Sequence, residues 1–237
     1  MNNTAGKILV PIGFSDQSLI ALGQAFNLAK IKKSEVFLLS VIEENQSFFN
    51  LFGDSEIDID RMKSQLKQKL DDIANKYSKE FNVSVETVVA RGSVYEKITE
   101  VSELISADLI VMGTNGTPKG ITKRFIGSNA EKVVRSAKCP VITIKGNSHS
   151  DGCKNIILPL DLEKQTKQKV SYALEYARYW NSTVRIVSVV LQDNNEIRNH
   201  LKRNLILVED FITKAGVNCT SELLEAERKI SLSEAIL

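Results

Sequence analysis

Only three cysteines occur in the 237 residues, Cys139, Cys153 and Cys219, and their spacing matches no metal-ligand pattern. A small, odd number suits a reducing compartment, so buried or incidental thiols and a cytoplasmic address are expected rather than a disulfide framework. Long apolar runs are missing as well. Val36–Leu39 and Leu109–Met112 have the length of core strands and fall far short of a membrane span. Met1 to Gly6 is polar, and no signal peptide is expected there. An excess of one charge is also absent: 31 basic residues oppose 29 acidic ones, a net charge of +2. That balance gives no electrostatic basis for binding nucleic acid or a membrane surface. The two histidines, His149 and His200, lie in polar and charged surroundings without a ligand or catalytic companion. No Ser-His-Asp order and no Walker loop is present, so no enzyme is expected.

What the chain does have is a globular composition, 43% hydrophobic and 25% charged. Lys7–Ile12 (KILVPI), Glu35–Ile42 (EVFLLSVI), Val83–Ala90, Ala107–Met112 (ADLIVM) and Val141–Ile144 (VITI) read as short buried strands. Helices are expected between them. The first is capped by Ser15, with Asp16 in its positive first turn and Leu19, Leu22, Ala25, Phe26 and Ala29 as its apolar stripe. A long polar helix from about Ile59 to Phe81 shows Met62, Leu66, Leu70 and Ile73 on one face. Val94–Ser106 and Asn129–Ser136 are the remaining two. Strands alternating with helices predict an α/β fold, a doubly wound five-stranded parallel sheet with right-handed crossovers.

The pattern then restarts. Lys154–Leu160 (KNIILPL) echoes Lys7–Ile12 with Pro159 for Pro11, and at the same offset Ala173, Ala177 and Val184–Val189 match Ala25, Ala29 and Val36–Val41. A constant offset over more than thirty residues marks an internal duplication. The expected organisation is a first domain over residues 1–146, a linker over 147–153 and an incomplete second domain over 154–237. After Ser221–Leu224 and a helix start at Ser231–Leu237 the second copy stops, and a truncation is expected.

The candidate site is Leu109–Ser128, LIVMGTNGTPKGITKRFIGS. A strand ends at Gly113, Gly116 follows, and Gly127–Ser128 opens a helix. Ligands bind at such strand ends in open parallel sheets. Glycines admit an anion close to the backbone, and a helix start supplies free N–H groups and the positive end of a dipole. Lys119, Lys123 and Arg124 add positive charge. Taken alone, the glycines equally describe a plain turn, and Ser128 a helix cap.

VPIGFS, LLSVIEE, ADLIVMGTNG, IGSNAEKVVRSAKCPVITI and the repeated ILPLD together resemble the universal stress protein family in its tandem form. The resemblance implies the adenine-nucleotide α-hydrolase-like fold and a G-x2-G-x9-G-S/T motif binding ATP, with Mg2+ accompanying it. It implies that Pro11 and Val41 border the adenine, that Met112 lies beneath it, and that Gly113, Gly116, Gly127, Ser128 and Asn129 hold ribose and phosphates. It also implies pairing of copies through the fifth strand, hence a homodimer or larger homo-oligomer. Two departures stand out. Gly13 occupies the place of the family's usual aspartate, and ten residues rather than nine separate Gly116 from Gly127. Losing one ligand hydrogen bond costs on the order of 1 kcal/mol, so weak binding is expected. In the second copy Asp161 supplies the acid and Val189 matches Val41, but no glycine loop follows.

Three functional readings remain open: a regulatory adenine-nucleotide module, a ligand-free interaction scaffold, and a slow ATPase. Asp54, Glu56, Asp58 and Asp60 alternate like a cation loop, but Ile59 stands where an EF-hand needs glycine, so a solvated acidic loop is expected and no metal site. Phe48, Phe49, Leu51 and Phe52 form an apolar cluster expected to pack on its own domain, with a lid or a partner patch as the alternative.

Overall fold

The computed structural model describes residues 5–43, 56–114, 127–146, 152–161, 166–190 and 194–225, the side chains of 56–58 and 166 excepted. The chain divides into two compact units, Met1–Asp151 and Gly152–Leu237.

The first unit holds β1 (Lys7–Pro11), α1 (Asp16–Lys32), β2 (Glu35–Ile42), α2 (Glu56–Phe81), β3 (Val85–Arg91), α3 (Val94–Leu104), β4 (Leu109–Gly113), α4 (Ser128–Ser136) and β5 (Val141–Ile144). Its five strands form one sheet in the order β3-β2-β1-β4-β5, and every pairing is parallel. The expected fold class is the observed one. β1 and β4 lie inside the sheet with both faces covered, which is why they read as unbroken apolar runs. Alternate residues serve opposite faces. Leu9, Phe37, Leu39, Ile110 and Met112 pack with Ile98 and Val101 of α3 and Ala130 and Val133 of α4. The other face is covered by α1, whose Leu22, Ala25, Phe26 and Ala29 are fully buried. Phe26 also packs on Tyr77 and Phe81 of α2, with ring centroids 5.0 and 5.4 Å apart.

Two expected stripes are corrected at their N-terminal ends. Leu19 is 38% exposed, and Ser18 and Ala21 take the buried positions in the first turns of α1. Met62 is exposed as well. Only the C-terminal part of α2, from Leu70 onward, reaches the core, so its early turns need no apolar face. α2 also starts earlier than expected. Glu56, Asp58 and Asp60 therefore belong to its first turns rather than to a loop. Asp54 and the Phe48–Phe52 cluster lie outside the described residues.

The second unit holds β6 (Asn155–Pro159), α5 (Thr166–Trp180), β7 (Thr183–Val190), α6 (Asn195–Lys214) and β8 (Cys219–Glu225). Its parallel sheet runs β6-β7-β8, the connectivity of β1-β2-β3. The two units make corresponding backbone bonds. The Ile12 amide donates to Leu39 O and the Leu160 amide to Val187 O; the Ser34 amide donates to Ala29 O and the Ser182 amide to Ala177 O. Lys33 and Asn181, both left-handed at φ 52° and 51°, end the corresponding helices. The strand read at Ser221–Leu224 lies within β8, and Ser231–Leu237 lies outside the described residues.

The tightest constraint in the first unit is at Gly113, where β4 ends against the start of α1. A Cβ built on Gly113 would stand 2.5 Å from the Gln17 carbonyl oxygen and 3.0 Å from the Ser18 nitrogen. Backbone on backbone leaves nothing to rotate away. Gly13 is the opposite case: its φ lies outside the left-handed region, which Phe14 adopts instead at 57°, and nothing stands within 4 Å of a Cβ placed there.

Two predictions follow from this packing. Gly113→Ala destabilises the protein by about 3 kcal/mol through overpacking, whereas Gly13→Ala stays within about 0.5 kcal/mol of the parent; urea unfolding followed by circular dichroism measures both. The second concerns Asp71 on α2, whose carboxyl is held below its ordinary 3.8 by its hydrogen bond with Lys67 and then by that from Thr87 of β3. A depressed carboxylate contributes stability above its unfolded value that is lost as pH falls through the lower folded value. Asp71→Asn therefore flattens the acid limb of the stability curve below about pH 4 and leaves the neutral region little changed, as acid titration at fixed urea would read.

Candidate nucleotide site

At the C-terminal ends of β1, β2 and β4 the chain leaves an open cavity of about 380 Å³. That volume lies within the range of small-molecule sites. Its base is the α3/α4 face of the sheet: Leu39 and Val41 of β2, Met112 and Gly113 of β4, and Ile98 and Ala130 from the helices above. Pro11, Ile12 and Gly13 line it from the β1–α1 turn, together with Ser15 and Ser18.

Three helices begin at this rim, and they differ in how their first amides are satisfied. α1 is capped by Ser15, whose hydroxyl accepts from the Ser18 amide at 3.3 Å, while the Ser18 hydroxyl donates to Ser15 O at 2.8 Å. α3 starts after Ser93, which makes no side-chain cap bond, and Val94 lines the cavity. α4 starts after Gly127, which has no side chain to cap with. Among the described residues no side chain caps α4, so its first amides have no partner there. Ser128, read as a cap from the sequence, is instead the first helical residue and is exposed; the cap position belongs to Gly127.

The chain entering and leaving this region is tied down. Just past β4, buried Thr114 donates its amide to Ile144 O at 3.0 Å, and its hydroxyl bonds the same oxygen at 3.3 Å. Gln17 Nε2 of α1 donates to Gly146 O beyond β5. These bonds fix the end of β4 against both neighbours, so the residues after Thr114 leave from a rigid base.

Of the residues picked out from the sequence, Pro11, Gly13, Val41, Met112, Gly113, Gly127 and Asn129 converge on the one cavity. Ser128 is beside it on α4, and Gly116, Lys119, Lys123 and Arg124 lie outside the described residues. Gly113 has a packing reason for being glycine, independent of any ligand. The sequence reading did not single out Leu39, Glu43, Val94 or Ile98. Strand alternation could have found Leu39 and Glu43, since they flank Val41 at steps of two, and the i, i+4 pair Val94 and Ile98 shares a helix face. Glu43 is the one ionisable side chain among the described residues of the cavity. Among the described residues no group of three or more His, Cys, Asp or Glu is placed to hold a metal, and no helix is long and apolar enough to cross a membrane.

In the second unit Asp161, at the position of Gly13, forms an ion pair with Lys169 of α5 at 3.1 Å. Val189 is buried there.

Comparison with known proteins agrees with this architecture. The model of the universal stress protein family matches residues 4–145, well over half of the chain. A universal stress protein of Methanocaldococcus jannaschii is 34% identical over 145 residues, covering 60% of this chain and 84% of that protein. Universal stress protein YxiE of Bacillus subtilis is 30% identical over 146 residues, covering 59% of this chain and 98% of that protein. The crystal structure of a universal stress protein from Archaeoglobus fulgidus aligns with a TM-score of 0.74 at 20% identity, over 93% of this chain and 77% of that one, an agreement of fold that extends through both units. A five-stranded parallel sheet in this order, a cavity at its switch point and a family match over residues 4–145 lead to one conclusion: the chain belongs to the universal stress protein family.

Proposed function

We propose that the chain is a cytoplasmic regulatory protein that binds an adenine nucleotide in the cavity of its first unit, without turning it over. The observation that carries this reading is the start of α4 at Gly127, where no side chain caps the helix, at the mouth of a slot whose base is Leu39, Val41 and Met112. Free amides at a helix N-terminus suit phosphate, and the slot between Pro11, Leu39, Val41 and Met112 suits a planar base. Gly116, Ser128 and Asn129 complete the phosphate side in this reading, the basic residues Lys119, Lys123 and Arg124 supply counter-charge, and Mg2+ accompanies the nucleotide through its phosphates. The second unit, with its acid engaged by Lys169, binds no nucleotide by itself in this reading.

Assembly belongs to the same proposal. Among the described residues the first sheet ends at β5, whose residues are half-buried and, Thr143 apart, apolar, and an edge of that kind seeks a second copy. A homodimer is expected; light scattering at high protein concentration that finds only monomer would refute the edge pairing.

Calorimetry of the full chain tests the site. ATP binds better than ADP and ADP better than AMP, and added salt weakens all three, because phosphate contacts dominate. Gly116→Val abolishes binding. Gly13→Asp, entering open space, tightens it by up to about tenfold by restoring an acceptor. A parent and a Gly13→Asp variant that both ignore millimolar ATP would instead favour the reading that Gly13 itself supports, a scaffold whose site has lapsed.

A further inference from the structure

From the position of Glu43 we infer that this side chain, and not one on the β1–α1 turn, reads the exocyclic amine of the base. The inference rests on the nucleotide reading above and adds the residue that chooses among purines.

Leu39, Val41 and Glu43 all line the cavity, while Ile42 between them is buried on the opposite face. The alternation of β2 carried one residue past its end puts Glu43 on the cavity side, next along from Val41, and Glu43 is both exposed and part of the lining. It is the one ionisable group among the described lining residues. Position 13, the neighbouring place from which an acid could act, carries no side chain and leaves its space open. A ligand donor at this end of the cavity therefore has one anionic acceptor within the described lining, and it comes from β2.

The cavity is polar in a definite sense. Free amides of α4 stand on the β4 side and the carboxylate of Glu43 on the β2 side. In the sheet order these strands are separated by β1, two interstrand spacings or about 10 Å. A ligand with an anionic group at one end and a hydrogen-bond donor at the other fits this polarity, and one reversed end for end meets like charge at both. An adenine nucleotide laid with its phosphates at α4 presents its base to β2. The amine of adenine donates to a carboxylate, whereas the carbonyl of hypoxanthine at the same ring position meets it as a second acceptor. A carboxylate left facing an acceptor loses a charged hydrogen bond, which sets the scale of discrimination at about tenfold or more. The same carboxylate is kept apart from the phosphates by the length of the nucleoside, so its repulsion of them is screened.

The test compares ATP with inosine triphosphate by calorimetry, using the full chain and its Glu43→Gln and Glu43→Ala variants. The parent is expected to prefer ATP by about tenfold or more. In Glu43→Gln, whose amide donates as well as accepts, the two dissociation constants come within about twofold, while the preference for ATP over AMP is retained. Glu43→Ala weakens ATP and leaves inosine triphosphate unchanged or tighter. Thermal unfolding of both variants should match the parent, since Glu43 is exposed. A parent that binds both nucleotides equally, or a preference that survives both substitutions, overturns the role of Glu43 and leaves the nucleotide site standing. Absence of binding by either nucleotide in the parent overturns both the site and the role.

Discussion

The approach of α1 to the end of β4 is the constraint on which the first unit depends. The Gln17 carbonyl occupies the space that any side chain at position 113 would need. This contact brings the first helix down at the point where the strand order turns from β2-β1 to β4-β5. Ligand crevices of open parallel sheets form there because adjacent connections leave the sheet toward opposite faces. With α1 seated, Thr114 and Gln17 tie β4 and the chain beyond β5 to one another. The cavity thus follows from close packing on the far face, and its rim is held by bonds already made, those of the Thr114 and Gln17 side chains among them, which a ligand would not have to order.

Much of this architecture was legible in the sequence because burial on both faces leaves a simple mark. Strands such as Glu35–Ile42 show no polar alternation, and no other environment explains eight residues of that kind between two helices. The likeness of the two units was legible for the same reason, since the matching residues Ala25 and Ala173, or Val36 and Val184, are all buried. Helix faces were read less well at their free ends. Leu19 and Met62 follow the apolar period but have nothing above them to bury against. Glu43 passed unnoticed because a charged residue beyond a strand looks like loop, although the strand's alternation still governs where it sits. Position 113 drew notice as a ligand glycine, and its packing role depends on a helix ninety-odd residues earlier, which no local pattern reveals.

The two units treat the corresponding position in different ways. In the first, residue 13 is bare and the neighbouring strand supplies an acid at the rim. In the second, Asp161 is present but engaged with Lys169, a half-exposed pair that fixes the turn more than it adds stability. β6 keeps the register of β1 against its neighbour, Pro159 opposite Val187 as Pro11 is opposite Leu39, so the divergence lies in side chains at the strand ends and not in the frame.

The empty space beside Gly13 has a consequence for how such a protein can change over generations. Because the backbone there is ordinary and nothing fills the volume beyond it, residues of many sizes can replace one another without passing through a poorly folded intermediate. Selection on ligand choice can then act at this position without a simultaneous demand on stability. Position 113 offers no such freedom. The two ends of one cavity are therefore under different evolutionary regimes, one open to exploration and the other fixed, and new specificities in this architecture should arise from the β1–β2 side.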